Sequence, residues 1–142
     1  MNMNIVSEHD VIVVGAGPGG STTATALAQQ GHDVLLIDRH TFPRDKICGD
    51  AISQECIRIM TKLGMASKIE EAVARGEFYR LDGMRLIGPS GRMLRAEFNH
   101  GPDGQVSYVA PRVYFDAVIQ QHAVESGAAF LQAEVKEPII ES

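Results

Sequence analysis

One stretch constrains this chain more than any other: Asp10-Val11-Ile12-Val13-Val14-Gly15-Ala16-Gly17-Pro18-Gly19-Gly20. A run of β-branched residues predicts a strand, and it feeds straight into glycines spaced G-x-G-x-x-G. Gly15 lets the chain turn tightly out of the strand. Gly17 lets the backbone approach a diphosphate with no Cβ in the way, and Gly20 lets the next helix sit close on the sheet. The N–H groups and positive dipole end of that helix would then face the phosphates. Glycine-rich turns are common, so context decides the reading. Here a strand precedes the turn, a helical pattern follows, and a second strand, Val34-Leu35-Leu36-Ile37-Asp38, ends in an acid suited to a ribose hydroxyl. The competing reading is a plain strand–turn–helix with no ligand.

Residues 1–9 read as a short leader, and 10–14 as the first strand. The helix is predicted from Pro18 to Gln30, rich in small residues that suit close packing on a sheet, with Gly31 as its stop. The second strand covers 33–38; its solid apolar run fits a parallel strand covered on both faces. From Arg39 to Gly49 the pattern breaks into an irregular loop. Ser53 is then an N-cap with Glu55 in the first turn. Ile52, Cys56, Met60 and Leu63, with Ile59, form one apolar helical face that places Cys56 in the core. A short helix at 67–75 follows. Residues 78–110 change character: 84–87 and 93–96 flank the turn Gly88-Pro89-Ser90-Gly91, and 106–110 is a third strand-like run. A helix from Val113 to Ser126 and a third parallel strand from Ala128 to Val135 close the sequence. The expected fold class is α/β, Rossmann-like, with three parallel strands and an inserted antiparallel segment. The expected division is 1–77, 78–110 as the start of a substrate domain, and a return at 111–142. With only three parallel strands, the chain reads as an N-terminal portion of a longer protein.

Composition narrows the partners. The net charge of −5 argues against nucleic acid or anionic lipid held by bulk electrostatics. With 44% hydrophobic and 22% charged residues in 142, one domain with a real core is expected. Cys48 and Cys56 fit neither a zinc spacing nor a disulfide framework. His9, His32, His40, His100 and His122 form no cluster, and no metal is expected. There is no signal-peptide pattern and no apolar run long enough to span a membrane, so a cytoplasmic protein is expected.

The run Phe42-Pro43-Arg44-Asp45-Lys46-Ile47-Cys48-Gly49-Asp50-Ala51, between the glycine turn and Pro111-Arg112-Val113-Tyr114-Phe115-Asp116, carries a narrower signal. With these motifs the sequence resembles the geranylgeranyl reductase family of FAD-dependent oxidoreductases. That family lies within the wider flavoprotein group of aromatic-ring monooxygenases and flavin-dependent halogenases. The resemblance runs from Asp10 to about Val135. It implies FAD, with the diphosphate on Gly15, Ala16, Gly17, Pro18, Gly19 and Gly20 and the adenosine ribose on Asp38 beside Arg39. It further implies Cys48, Gly49 and Ala51 near the flavin, Arg112 reaching toward the cofactor, and Ala133 to Val135 passing the adenine. Such folds more often carry glutamate where Asp38 stands. NAD(P)H or another electron donor would recharge the flavin, and the substrate would be a small, lipid-like molecule. Peripheral contact with a membrane is compatible with it, and an oligomeric state is not implied.

Plainer readings stand beside these. Arg112 could cap a carbonyl or pair with an acid, and Arg39 could meet a 2′-phosphate as in NADP sites. Arg44 and Lys46 are expected in solvent, with Lys46 able to neutralise a phosphate. Cys48 is the candidate catalytic residue, flavin- or substrate-adjacent; otherwise it is an inert thiol. Three functions compete: reduction of isoprenoid carbon–carbon double bonds, oxygen-dependent hydroxylation or halogenation of an aromatic substrate, and a nucleotide-binding module without turnover.

Overall fold

The computed structural model describes residues 8–98 and 106–140. Most of the expected leader, His100 and part of the inserted 78–110 segment lie outside these residues. The described chain divides into two compact units, Met1–Arg44 with Asp116–Ser142, and Asp45–Phe115.

The first unit is built on a parallel sheet. Strands β1 (Val11–Val14), β2 (Val34–Asp38) and β8 (Ala129–Gln132) lie in the order β1-β2-β8, with Val13 opposite Leu36 and Leu36 opposite Phe130. Those three side chains share a sheet face with Val34. They pack with Ala16, Ala24, Ala123 and Ala128 into one core, and α1 (Pro18–Gln29) supplies the small side chains that let helix and sheet close together. Along β1 the alternation is clean: Ile12 and Val14, on the opposite face from Val13, are exposed. The solid apolar run of β2 is buried on both faces, apart from a partly buried Leu35. Gly31 ends α1 in the left-handed region, φ +89, as its position after the last helical turn predicts. β8 is shorter than expected, stopping at Gln132, which leaves Val135 beyond the sheet and exposed. Phe42 meets Phe130 edge to face, with centroids 6.1 Å apart, and seals the core where the chain leaves β2.

The second unit carries the remaining strands and two helices. β3 (Ala51–Ile52), β4 (Tyr79–Leu81) and β7 (Ser107–Val109) form an antiparallel sheet in the order β3-β7-β4. β5 (Gly83–Ile87) and β6 (Met93–Glu97) form the hairpin that the Gly88–Gly91 turn predicts, Leu86 facing Leu94. The Ser53 cap is real: its hydroxyl accepts from the Cys56 N–H at 3.3 Å and opens α2 (Gln54–Lys62). Met60, Met65, Ile69 and Ala72, from α2, its exit and α3 (Ala66–Ala74), are buried, as are Phe78 and Ile52. Phe78 stands 6.0 Å from Phe115 and 6.3 Å from Tyr108, centroid to centroid. The helix α4 (Arg112–Glu125) begins in this unit and continues in the first.

One expected core residue is corrected. Cys56 is exposed, and so is Ile59. Cys56 sits in the first turn of α2, where its thiol lies 3.3 Å from the Ser53 hydroxyl at the open end of the helix. The inward stripe of α2 comes down to Met60.

Candidate functional site

The glycine turn is held from below by named bonds. Gly15 takes φ +97, a conformation that costs a side-chain residue dearly, and its N–H donates to the Ile37 carbonyl at 2.7 Å. The Ala16 N–H donates to Asp38 Oδ2 at 2.8 Å, and the buried Ser21 hydroxyl donates to the Ala16 carbonyl at 2.9 Å. Ser21 thus ties the first turn of α1 back to the loop that starts it, a contact no sequence pattern announces. Gly17 is the N-cap and has no side-chain cap bond; Pro18 follows at the first helical position. Pro18 has no N–H, so the donors left without an intrahelical partner are those of Gly17, Gly19 and Gly20. A Cβ on Gly19 would meet nothing within 4 Å, and one on Gly17 would meet only Arg44 Nη2 at 3.6 Å. The approach to the helix N-terminus is open, lined by donors, and free of Cβ atoms. That is what a diphosphate requires.

Asp38 has a second occupation. Besides the Ala16 N–H, its other oxygen, Oδ1, accepts from the His40 N–H at 2.9 Å. Burial raises the pKa of this carboxyl. The N–H groups of His40 and Ala16, with the positive charge of Arg44, outweigh burial and hold it below the usual aspartate value. Asp38 therefore stays ionised and clamps the turn, with the remaining lone pairs of its oxygens available to a ribose. Arg39 beside it is exposed, its carbonyl accepting from the Gln132 side chain at 3.3 Å.

Arg44 is not in solvent. Its Nη1 lies 3.0 Å from Oδ2 of Asp116, whose side chain is wholly buried, and its guanidinium stacks 5.0 Å over the Phe42 ring. The Nη1 approach is ionic rather than an aligned hydrogen bond, since that nitrogen has no partner of good hydrogen-bond geometry. The two residues lie far apart in sequence, so no local pattern pairs them.

The second unit has its own constellation. Asp45, Lys46, Ile47, Cys48 and Asp50 line an open recess of ≈ 420 Å³ with Pro111, Arg112 and Val113. Asp50 takes φ 56, a region aspartate enters more readily than most residues, and its carbonyl accepts from the Ala110 N–H at 2.9 Å. The N–H groups of Gly49 and Asp50 face the Cys48 sulfur. The Asp50 N–H first, then the Arg112 side chain and the Gly49 N–H, lower the thiol pKa against a smaller opposing effect of burial. Cys48 and Arg112, both placed near the cofactor by the family resemblance, touch each other. Ala51 begins β3 and is exposed. The recess sets the Cys48 thiol beside the Arg112 side chain, which favours the thiolate form. Replacing Arg112 by Met in a Cys56→Ser background is expected to raise the pH midpoint of Cys48 alkylation by iodoacetamide. An unchanged midpoint would show that Arg112 does not stabilise the thiolate. Among the described residues no cluster of His, Cys, Asp and Glu could hold a metal, and no helix is long and apolar enough to cross a membrane.

A parallel sheet whose first turn is an open glycine N-terminus and whose second strand ends in an ionised aspartate defines a dinucleotide-binding unit. The FAD binding domain family profile matches residues 8–137, and the chain belongs to that family. It is 34% identical over 122 residues to menaquinone reductase of Mycolicibacterium smegmatis, covering 86% of this chain and 28% of the relative. It is also 34% identical over 123 residues to digeranylgeranylglycerophospholipid reductase of Methanosarcina mazei, covering 85% and 28%. Among solved structures, a flavin-dependent brominase superposes with a TM-score of 0.80 at 26% identity, over 95% of this chain and 32% of the other. A geranylgeranyl bacteriochlorophyll reductase-like protein of Thermoplasma acidophilum gives 0.65 at 29% identity, over 86% and 29%. The chain thus spans under a third of the length of the curated relatives it matches.

Proposed function

We propose that this chain is the FAD-binding part of an oxidoreductase that reduces carbon–carbon double bonds of an isoprenoid, lipid-like substrate. The observation that carries the reading is the match to two reductases named for menaquinone and for a digeranylgeranyl phospholipid, each at 34% identity over most of this chain. The turn Gly15–Gly20 binds the diphosphate, and Asp38 orients the turn while offering a lone pair to the ribose. Arg39 borders the adenosine side and Val135 the end of β8. When bound, reduced FAD supplies a hydride to one alkene carbon; a proton goes to its neighbour, and NAD(P)H or another donor restores the reduced flavin. Cys48, Gly49, Ala51 and Arg112 shape the substrate side. Hydride delivery to an alkene needs no nucleophile, so Cys48 acts by holding charge and shape at Sγ. The test is anaerobic turnover by the polypeptide expressed from the complete coding sequence. Product mass should rise by two hydrogens per double bond with a polyprenyl quinone or a digeranylgeranyl phospholipid, without oxygen. The superposition on a brominase favours a second reading, halogenation of an aromatic substrate. Product formation only with oxygen and halide would replace the first reading with the second.

A further inference from the structure

The turn that faces the diphosphate offers only neutral donors: its residues Gly15 to Ser21 include no lysine or arginine. A helix N-terminus supplies the equivalent of roughly half a positive charge, and a diphosphate diester brings about two negative ones. A cation would offset the remainder, and the first unit places one beside the turn. Arg44 Nη2 stands 3.6 Å from the point where a Cβ on Gly17 would lie, next to the backbone that has been kept bare. The guanidinium is fixed from two further sides, by Asp116 at 3.0 Å and by the Phe42 ring at 5.0 Å.

We propose that Arg44 binds the diphosphate of the cofactor, and that the buried Asp116 is a positioning residue which holds the guanidinium at the turn. This rests on the FAD reading above. A guanidinium carries five N–H donors in a rigid fork; with one carboxylate facing Nη1, the Nη2 edge stands toward the bare backbone of Gly17, where an anion would lie. A lysine at the same place keeps the charge and loses the fork. Asp116, in turn, has a reason to be buried: an arginine left unpaired beside a cofactor site swings into solvent, whereas a buried pair is held in one geometry. The pair also explains why an F-P-R tripeptide follows β2. Phe42 supplies the face on which the arginine lies, two residues before it.

The experiment separates binding from folding. FAD and ADP are titrated calorimetrically into the complete chain at several salt concentrations, for the wild type, Arg44→Lys, and the double variant Arg44→Met/Asp116→Leu. The double variant removes both buried charges together, which is far gentler on folding than removing one. Its Kd for FAD and for ADP is expected to rise roughly tenfold to a hundredfold, the size of a lost charge-assisted hydrogen bond, and the salt dependence of binding should flatten. Arg44→Lys should keep the salt dependence while binding several-fold more weakly. A folded double variant with wild-type Kd and wild-type salt dependence overturns the proposal and leaves the FAD reading standing. Should the double variant not fold, Arg44→Lys decides: wild-type affinity overturns the proposal, and weaker binding with retained salt dependence supports it. A wild-type chain that binds neither FAD nor ADP overturns the FAD reading, and this proposal with it.

Discussion

Gly20→Ala is expected to be the most damaging single methyl group that can be added to this chain. A Cβ at position 20 would lie 1.7 Å from the Gly15 carbonyl oxygen and 3.0 Å from its carbon. Both are backbone atoms of the same turn, and the Gly15 N–H is itself pinned to Ile37, so no side chain can rotate away to relieve the overlap. The helix must lift off β1 or the turn must open, and either disrupts the core that α1 makes with Val13, Leu36 and Phe130. Forced overpacking of this kind costs about 3 kcal/mol or more. In thermal unfolding the midpoint should fall by roughly 10 °C, with or without cofactor. Gly17→Ala is the control. A Cβ there would meet only Arg44 Nη2, at an ordinary contact distance of 3.6 Å, so the variant should unfold near the wild-type temperature while binding FAD more weakly. Similar midpoints for both variants would show that the close helix–strand approach is not what Gly20 provides.

The contrast between these two glycines marks what the sequence could and could not disclose. Spacing in the G-x-G-x-x-G run assigned different tasks to Gly15, Gly17 and Gly20, because a tight turn, a bare approach and a close helix are all local demands. The Ser53 cap, the hairpin about Gly88–Gly91 and the bounds of α1 and α4 were legible for the same reason: each is written within a few residues. Partnerships across the chain were not. The local sequence predicts a solvated loop residue at Arg44, and only the fold brings Asp116 to it. Nothing in the sequence marks Ser21, inside α1, as the residue that closes the turn onto Ala16. β3 has two residues, too few to show any alternation, and is a strand because Ile52 pairs with Tyr108. Cys56 falls on the inward phase of a helical period, yet in the first turn of α2 both Glu55 and Cys56 are exposed. Periodicity reports which residues share a face and is silent on where along the helix that face is covered.

Asp38→Asn tests the other half of the turn. The carboxylate accepts two N–H groups, from Ala16 on one oxygen and from His40 on the other. An asparagine has one acceptor oxygen, so its amide nitrogen must point a donor at one of those N–H groups. With one bond to a charged acceptor lost and one buried donor left unmatched, the expected cost is about 2–3 kcal/mol at pH 7. The pH dependence carries the sharper signature. The Asp38 pKa is lowered in the folded chain, so its contribution is fully present above the unfolded-state value of roughly 3.9. As the pH falls past that value the unfolded chain takes up the proton first and stability declines. The contribution is gone once the pH has dropped through the lower folded-state value. Urea unfolding of wild type and variant should therefore show the largest gap at neutral pH, narrowing below about pH 4. The asparagine chain has no such group to titrate. A gap that stays constant down to pH 3 would mean that the charge of Asp38 does not hold the turn and that its shape alone is required.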